Sequence, residues 1–390
     1  MESFNQYLDT VISFRKELHR HPEVSGKEVA TANRIVSFLK QFPPDEMITA
    51  IGGTGIIAAY NGEKPGKTVL FRCELDALPI EEINNFEHRS VHKAVSHKCG
   101  HDGHMAILCG LAIKLHLKRP DTGAVFLLFQ PSEEDGSGAQ KVLSDTKFKS
   151  INPDYVFALH NLPAYPKNQI VVKNNTFTCA VNSIIIKLKG ITAHAAEPEK
   201  GINPAQAIAA ILSAYNKYSQ PDSKKPKYCI ITPVHIRMGK KAYGVSAGAG
   251  EIHFTVRSDS SVEMKNIAGY LEEKARSIAD EYKLGISIKW VQTFEANENN
   301  STAVDLVRVA ANSNCLALLE KKTPFSWGED FGLFTQKYKG AMFGIGIGKE
   351  KPALHNPDYD FEDEILQTGI SIFHHISKQI TDADKFNYRT

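Results

Sequence analysis

The sequence predicts an α/β fold with a mainly parallel sheet and helices on both faces, together with a smaller inserted α+β domain. In the first part of the chain, short and nearly continuous apolar runs alternate with helical patterns. Such runs are typical of strands buried on both faces, and their alternation with helices is typical of a parallel sheet. The middle of the chain has a different order, β-α-β-β-α-β, which is that of a ferredoxin-like split unit.

Three segments in the first part have the composition of buried strands, namely 68–73, 124–130 and 155–160. Residues 104–119 have the length of a helix and stop just before Pro120, which cannot continue it. In open parallel sheets, ligands bind beyond the carboxyl ends of the strands. We therefore expect functional side chains to follow these three segments.

The middle of the chain predicts two helices, 203–218 and 262–282, and four strands, 183–190, 229–239, 251–258 and 285–291. The first pattern then returns with a helix over 302–319, a Gly-rich strand over 341–348 and a final helix from about 362. Residues 297–300 are predicted as a hinge or an exposed loop. The expected domains are a catalytic domain in two parts, 1–179 and 294–390, and an inserted domain over 180–293.

Composition and length exclude several classes of protein. A chain of 390 residues is too long for one ordinary core, so two domains are expected. The 46 basic and 44 acidic residues leave a charge of +2 without a basic stripe, which disfavours a nucleic-acid partner. The N-terminal segment lacks the apolar core of a signal peptide, and no apolar stretch suits a membrane span. We therefore expect a cytoplasmic protein whose six cysteines are reduced.

Candidate metal ligands and acid–base groups follow the predicted parallel strands or precede the long helix. They are Glu74, Asp76, Cys99, His101, Asp102, His104, Glu133, Glu134, His160 and His355. Each one alone is a weak signal, because a buried cysteine is more often a core residue and adjacent glutamates are more often exposed. The carboxyl ends of parallel strands meet at one edge of a sheet, so their shared position predicts a common site.

The residue types at this edge suit metal chemistry. Thiolate, imidazole and carboxylate together favour zinc, manganese, cobalt or nickel over magnesium. In the adjacent pair Glu133 and Glu134, one carboxylate can bind metal while the other stays available as a general base. Two cations about 3.5–4 Å apart lower the pKa of a bridging water and polarise a substrate carbonyl.

The candidate residues stand in recognisable motifs that span almost the whole chain. These include CGHDGHMAIL (99–108), FQPSEE (129–134), ALHNLP (158–163), ITAHAAEPEKGINP (191–204) and LHNPDYDFEDE (354–364). In this order they resemble the amidohydrolase branch of the aminoacylase and carboxypeptidase-G metallopeptidase family. That branch includes hippurate hydrolases, indole-acetyl-amino-acid hydrolases and N-acetyl-diaminopimelate deacetylases.

The resemblance implies a hydrolase that cuts the amide bond of small N-acyl amino acids or related amides. It implies two divalent metal ions per subunit, with zinc or manganese favoured, held by Cys99, His101, Glu134, His160 and His355. Cys99 is expected to bridge the metals. Glu133 is the implied general base, and Asp76 matches a position that orients a ligand imidazole.

The resemblance also assigns a role to the inserted domain, which in relatives is a lid that forms dimer contacts. We therefore expect a homodimer, with His194 reaching over the metals to donate to the developing oxyanion. Two positions depart from the family. Glu74 stands where relatives usually have Asp, and Gly244–Ala247 replaces a segment that usually reads Asn-Val-Ile-Pro and whose amide helps to hold substrate. The acyl group and the amino acid of the substrate therefore stay open.

Three alternative functions remain. A dipeptidase or carboxypeptidase of the same fold needs the same activation of water and differs only in its lid contacts. A cysteine hydrolase with Cys99 as nucleophile is disfavoured, because a thiolate on two cations is a poor nucleophile and the glutamate pair then has no role. A non-catalytic binding protein is compatible with the fold but is disfavoured, because no ligand and no candidate base has been lost.

Overall fold

The computed structural model describes residues 4–225 and 227–382. Its α-helices are α1 (Leu8–Arg20), α2 (Val29–Leu39), α3 (His101–Leu117), α4 (Gly138–Ser144), α5 (Ala205–Tyr218), α6 (Ser261–Glu281), α7 (Ser301–Ser313), α8 (Gly332–Thr335) and α9 (Leu366–Thr381). Its strands are β1 (Glu46–Ile51), β2 (Gly55–Asn61), β3 (Lys64–Glu74), β4 (Thr122–Gln130), β5 (Tyr155–Pro163), β6 (Ile170–Val172), β7 (Asn175–Thr178), β8 (Ala180–Lys189), β9 (Ala193–His194), β10 (Cys229–Met238), β11 (Val245–Ser246), β12 (Ala249–Ser258), β13 (Gly285–Phe294), β14 (Asn297–Asn299), β15 (Leu318–Glu320) and β16 (Lys339–Gly348).

The chain forms two compact units. The first comprises Met1–Phe177, Asn297–Lys322 and Asp330–Thr390, and the second comprises Thr178–Ala296 and Thr323–Glu329. Among the residues that the structure describes, no helix is long and apolar enough to cross a membrane.

The first unit is built on an eight-stranded sheet in the order β1-β2-β4-β3-β5-β16-β6-β15. Its four central strands, β4, β3, β5 and β16, run parallel to one another. Strand β2 runs antiparallel to both of its neighbours, β1 and β4. Every residue from Val69 to Glu74 on β3 is buried, so both faces of the sheet are covered at this strand. The predicted α/β class with a mainly parallel central sheet is confirmed.

The parallel register brings the carboxyl ends of the central strands to one edge. Glu74 ends β3 opposite Gln130, the last residue of β4. On the other side, His160 of β5 lies opposite Gly344 of β16. The segments that carry the candidate residues therefore leave the sheet at the same edge.

Helix α3 begins at His101, three residues earlier than the sequence pattern predicts. Gly100 precedes it with φ of 96°, and a Cβ there would lie 2.4 Å from Oδ1 of Asn161. Only glycine meets both conditions, because it tolerates positive φ and adds no Cβ. As a result, His101, Asp102 and His104 lie in the first turn of a helix and not in a loop.

The end of the chain differs from the prediction in two places. Helix α7 ends at Ser313 and not at 319, and Leu318–Glu320 forms an edge strand parallel to β6. Asn297–Asn299 is a strand and not an exposed loop. The buried side-chain amide of Asn299 donates to the backbone carbonyl of Met342 at 2.8 Å and accepts from the backbone N–H of Met342 at 2.8 Å. The side chain thus satisfies both backbone groups of Met342.

The second unit contains a four-stranded antiparallel sheet in the order β10-β12-β8-β13. This is the strand order of a ferredoxin-like unit, which confirms the predicted α+β class of this part. Helices α5 and α6 pack on one face against alternating apolar residues, which include Ile184, Ile186, Ile252 and Phe254. A small two-stranded sheet, β11 with β9, completes this unit.

Candidate metal centre

Of the groups of three potential ligands that meet in the first unit, two share Cys99. In the first group, ligand atoms of Cys99, His101 and His160 all lie within 4.8 Å of one another. In the second group, the same holds for Cys99, Glu134 and His355. Two groups with one common thiol form the arrangement expected for two cations bridged by a thiolate.

His101 is oriented by the segment that follows β3. Its Nδ1 donates to the backbone carbonyl of Asp76 at 2.8 Å, and the Oδ1 atom of the same residue lies 3.5 Å away. The Nε2 atom is buried and makes no hydrogen bond to the described residues. It lies 3.9 Å from Oε1 of Glu134 and 4.0 Å from Oε2 of Glu133. A buried ring nitrogen without a hydrogen bond is costly, so this atom fits a ligand of a cation.

His160 has a similar orientation. Its Nδ1 donates to the backbone carbonyl of Asn161 at 2.9 Å, which directs Nε2 to within 3.5 Å of Sγ of Cys99. Burial, and then the neighbouring His104, lowers the pKa of His160 to about 3. The imidazole is therefore neutral, which is the form that binds metals.

Cys99 needs a cation to act as a thiolate in this environment. Burial, followed by the charge of Glu134, raises the pKa of its thiol well above the ordinary value. A coordinating divalent cation deprotonates a thiol outright. The donor set of thiol, two buried imidazoles and a carboxylate therefore fits a pair of borderline divalent cations.

His355 reaches the site from a distant part of the sequence. It has φ of 67°, and its backbone N–H donates to the carbonyl of Lys98, next to Cys99, at 2.7 Å. Its Nε2 lies 3.9 Å from Oε1 of Glu134, and its side chain is half-exposed. One backbone hydrogen bond thus connects the two segments that carry Cys99 and His355.

The two glutamates lie on a turn that Asp76 holds in place. Oδ2 of Asp76 accepts from the backbone N–H of Glu134 at 2.9 Å and from the hydroxyl of Ser25 at 2.7 Å. Ser132, which precedes the glutamates, has φ of 54° and donates its N–H to Glu28 at 2.9 Å. Asp76 therefore contacts both His101 and the glutamate turn, and the second of these contacts was not predicted from the sequence.

Behind the site lies a chain of buried polar groups that includes the candidates Glu74 and His104, whose contacts with each other and with Asn161 were not predicted from the sequence. Glu74 pairs with Arg72 and lies 2.7 Å from Nδ1 of His104. Nε2 of His104 lies 2.6 Å from Oδ1 of Asn161, whose amide donates to the hydroxyl of Tyr359 at 2.6 Å. This chain connects the first turn of α3 to β3 and β5.

A second buried network supports the start of α3. Nδ1 of His19 lies 2.9 Å from Asp102, and its Nε2 lies 3.0 Å from Glu82. The ammonium of Lys98 donates to the same Glu82 oxygen at 2.6 Å, and Arg15 lies 3.4 Å from Asp102. The HRHPE run (19–23) and the candidate Asp102 are visible in the sequence, but residue types alone do not identify their partners.

His194 lies in the second unit, on β9, and its side chain is exposed. Its Nδ1 accepts from the N–H of Ala196 at 3.1 Å, so the neutral ring carries its proton on Nε2. The segment Gly244–Ala247, which differs from the family pattern, lies beside His194, because Val245 of β11 pairs with His194. The first unit gathers the other seven predicted site residues, which are Asp76, Cys99, His101, Glu133, Glu134, His160 and His355.

A family model described as peptidase family M20/M25/M40 matches residues 70–379. The chain belongs to this family. As a member of peptidase family M20/M25/M40 it is a hydrolase that acts on amide bonds, which confirms the family and the enzyme class predicted from the motifs.

Curated relatives and solved structures agree with this assignment. The chain is 27% identical to an N-acetyldiaminopimelate deacetylase of Bacillus subtilis, over 94% of this chain and 97% of the relative. It is 28% identical to an N-acetylcysteine deacetylase of the same organism, over 96% and 98%. A solved Bacillus subtilis structure, described as a dinuclear metal binding peptidase of family M20, has a TM-score of 0.84 at 26% identity, covering 97% of this chain and 99% of that one.

Proposed function

We propose that this M20-family protein hydrolyses the amide bond of small N-acyl amino acids with the help of two divalent cations. The observation that carries the proposal is the pair of donor groups that share Cys99, with the Glu133 carboxylate 4.0 Å from His101. The names of the two Bacillus subtilis deacetylases support an N-acyl amino acid as the substrate class.

In this proposal, Cys99, His101 and His160 hold one cation, and Cys99, Glu134 and His355 hold the other. The donor set suits zinc or manganese, with cobalt or nickel as substitutes. Bound cations supply Lewis acidity, which polarises a carbonyl and lowers the pKa of water. The backbone carbonyl of Asp76 accepts a hydrogen bond from Nδ1 of His101, which would leave Nε2 available to a cation.

Glu133 is the proposed general base. Its carboxylate is buried at 6% exposure and belongs to neither donor group, although it lies beside Glu134 on the same turn. It is therefore positioned to take the proton from the attacking water and to return it to the departing amine. The peptide N–H of Glu134, held by Asp76, fixes the turn on which both carboxylates stand.

The second unit, close to the predicted inserted domain 180–293, is proposed as a lid that brings His194 to the substrate. The tautomer supports this role, because a neutral imidazole with its proton on Nε2 can donate to a developing oxyanion. The exposed side chain of His194 leaves that N–H accessible.

The homodimer is proposed to form through the edge strand β10. This strand pairs with β12 on one side, and its residues from Thr232 to Met238 are all exposed. Val234, Ile236 and Met238 are 57%, 48% and 42% exposed. An apolar edge strand of this kind favours pairing with a second copy. The cytoplasmic location stays a prediction.

A substrate panel tests the proposed function. The purified chain is reconstituted with manganese, zinc or cobalt and given N-acetyl amino acids, N-benzoylglycine and unmodified dipeptides. Release of free amino acid from the acylated compounds supports the proposal. Cleavage of dipeptides alone identifies the peptidase alternative, and the absence of turnover in a metal-loaded chain identifies a binding protein.

A further inference from the structure

We propose that the second unit carries a separate site for a zinc-like divalent cation, formed by His235, Glu251 and His253. All three residues lie on the adjacent antiparallel strands β10 and β12. One ligand atom from each lies within 4.8 Å of the other two. No residue of this cluster belongs to the donor groups that meet at Cys99.

Strand geometry places the three side chains together. His235 on β10 lies directly opposite His253 on β12, with ring centroids 4.8 Å apart. Glu251 precedes His253 by two residues, so both point to the same face of β12. The register of β10 shifts between Pro233 and His235, directly before the first ligand.

The cluster lies on the sheet face that the helices leave uncovered. Ile252 and Phe254 alternate with the two β12 ligands and are buried against α5 and α6. The side chain of His235 is 47% exposed and that of Glu251 is 27% exposed. An ion can therefore reach the ligands from solvent.

The interatomic distances suit coordination. Nε2 of His235 lies 3.5 Å from Oε1 of Glu251. Two ligands at zinc bond lengths in a tetrahedral site lie about 3.3–3.4 Å apart, so this pair needs little movement. Nε2 of His253 is enclosed and has no hydrogen bond to the part of the chain that the structure describes. A buried ring nitrogen without a hydrogen bond, on a residue that already belongs to the cluster, is the second observation that points to a ligand.

The chemistry selects the class of ion. Two imidazoles and one carboxylate suit zinc, copper or nickel better than calcium or magnesium, which prefer oxygen ligands. Lys187 lies 4.0 Å from Glu251, and Arg237 is the cross-strand partner of Glu251. These two positive charges oppose the ion, so the site is expected to bind more weakly than the thiol-bridged centre.

Occupancy would connect two strands that are otherwise joined by backbone hydrogen bonds. The outer part of β10 is exposed on both faces and pairs only with β12 among the described strands. A cation held by His235, Glu251 and His253 adds a side-chain cross-link at that point. The site therefore acts as a clamp that fixes the edge strand of the second unit.

The test counts zinc in the full chain and two variants. After chelation, wild type, the double variant H235A/H253A and the control H116A are titrated with zinc by calorimetry, and bound zinc is measured after gel filtration. The expected result is one zinc ion per chain fewer in the double variant than in wild type and control, with unchanged hydrolysis. The variant Glu251→Gln should weaken zinc binding at this site, although both histidines are kept.

The outcome is independent of the proposed function. In a Cys99→Ser/His101→Ala background the thiol-bridged centre is disabled, so any bound zinc is expected at the second site. Introducing H235A/H253A into this background should remove that zinc. Equal zinc content in wild type and H235A/H253A at saturation overturns the proposal. An equal zinc-dependent rise in the melting temperature of the Cys99→Ser/His101→Ala chain with and without H235A/H253A also overturns it.

Discussion

Nδ1 of His104 lies 2.7 Å from Oε2 of Glu74, so a residue at the end of β3 contacts the first turn of α3. The other carboxylate oxygen of Glu74 pairs with the buried Arg72. The Glu74 side chain thus spans the distance between an arginine on its own strand and a histidine on a helix. The longer side chain of glutamate reaches both Arg72 and His104. These two contacts explain how the chain accommodates glutamate instead of aspartate at this position.

Shortening the side chain of Glu74 should loosen the first turn of α3, which carries His101. Glu74→Asp removes one methylene, so the carboxylate cannot keep both His104 and Arg72. Because residues behind a metal ligand tune its orientation, we expect metal affinity to fall by roughly 10-fold. Zinc and manganese titrations measure this, with the exposed Glu63→Asp as the matched control. An affinity equal to that of the control would show that the contact does not position the site.

Glu133→Gln should abolish hydrolysis and leave metal bound. Glutamine keeps the shape of the side chain but cannot accept a proton from the attacking water. Turnover and metal content are measured on the same preparation. Glu134→Gln is the matched control, because it changes the adjacent residue and should lower metal content. Substantial turnover in metal-loaded Glu133→Gln would mean that another group is the base.

Cys99→Ser should lower the affinity for both cations, since a hydroxyl replaces a thiolate shared by the two donor groups. Alkylation gives a second measurement. In a Cys315→Ser background, which removes the exposed thiol, metal should protect Cys99 from iodoacetamide. Equal modification rates with and without metal would contradict the assignment of Cys99 as a ligand.

His194→Ala should lower turnover far more than substrate binding. A donor to the oxyanion acts mainly in the transition state, and the loss of one such donor costs roughly 100-fold in turnover. Steady-state kinetics separate the two effects when metal content is confirmed unchanged. Glu199→Ala, on the exposed turn after β9, should change turnover by less than about threefold. Unaltered turnover in His194→Ala would remove the second unit from the chemical step.

The buried His19 should make stability depend on pH. Burial lowers the pKa of His19, but the carboxylates of Asp102 and Glu82 outweigh it and raise the value to about 9. The unfolded chain has a value of about 6.5. The stabilising contribution is therefore fully present below about pH 6.5, declines as the pH rises, and is lost once the pH passes about 9.

Denaturant unfolding of the metal-free chain at several pH values measures this contribution. The difference in the free energy of unfolding between wild type and His19→Gln should shrink on going from about pH 6.5 to above pH 9, by up to on the order of 3 kcal/mol. A difference that is constant over this range would mean that His19 is not protonated in the folded chain.

The sequence alone determined the class of the fold and the set of candidate site residues. Continuous apolar runs identify buried parallel strands, because such strands are covered on both faces, and polar residues after those runs must then meet at one edge. Cys99, His101, Glu133, Glu134 and His160 could be selected in this way, since local pattern is enough to place each one at a strand end or a helix start.

Only the tertiary structure decided which atoms meet. The sharing of Cys99 between two donor groups, the hydrogen bond from His355 to Lys98, and the early start of α3 at Gly100 depend on contacts between distant segments. The buried networks around Glu74 and His19 and the ladder contact of Asn299 arise in the same way. The physical reason is that residue type sets what a side chain can donate, accept or bind, whereas packing of the whole chain selects its partner and removes the competing water.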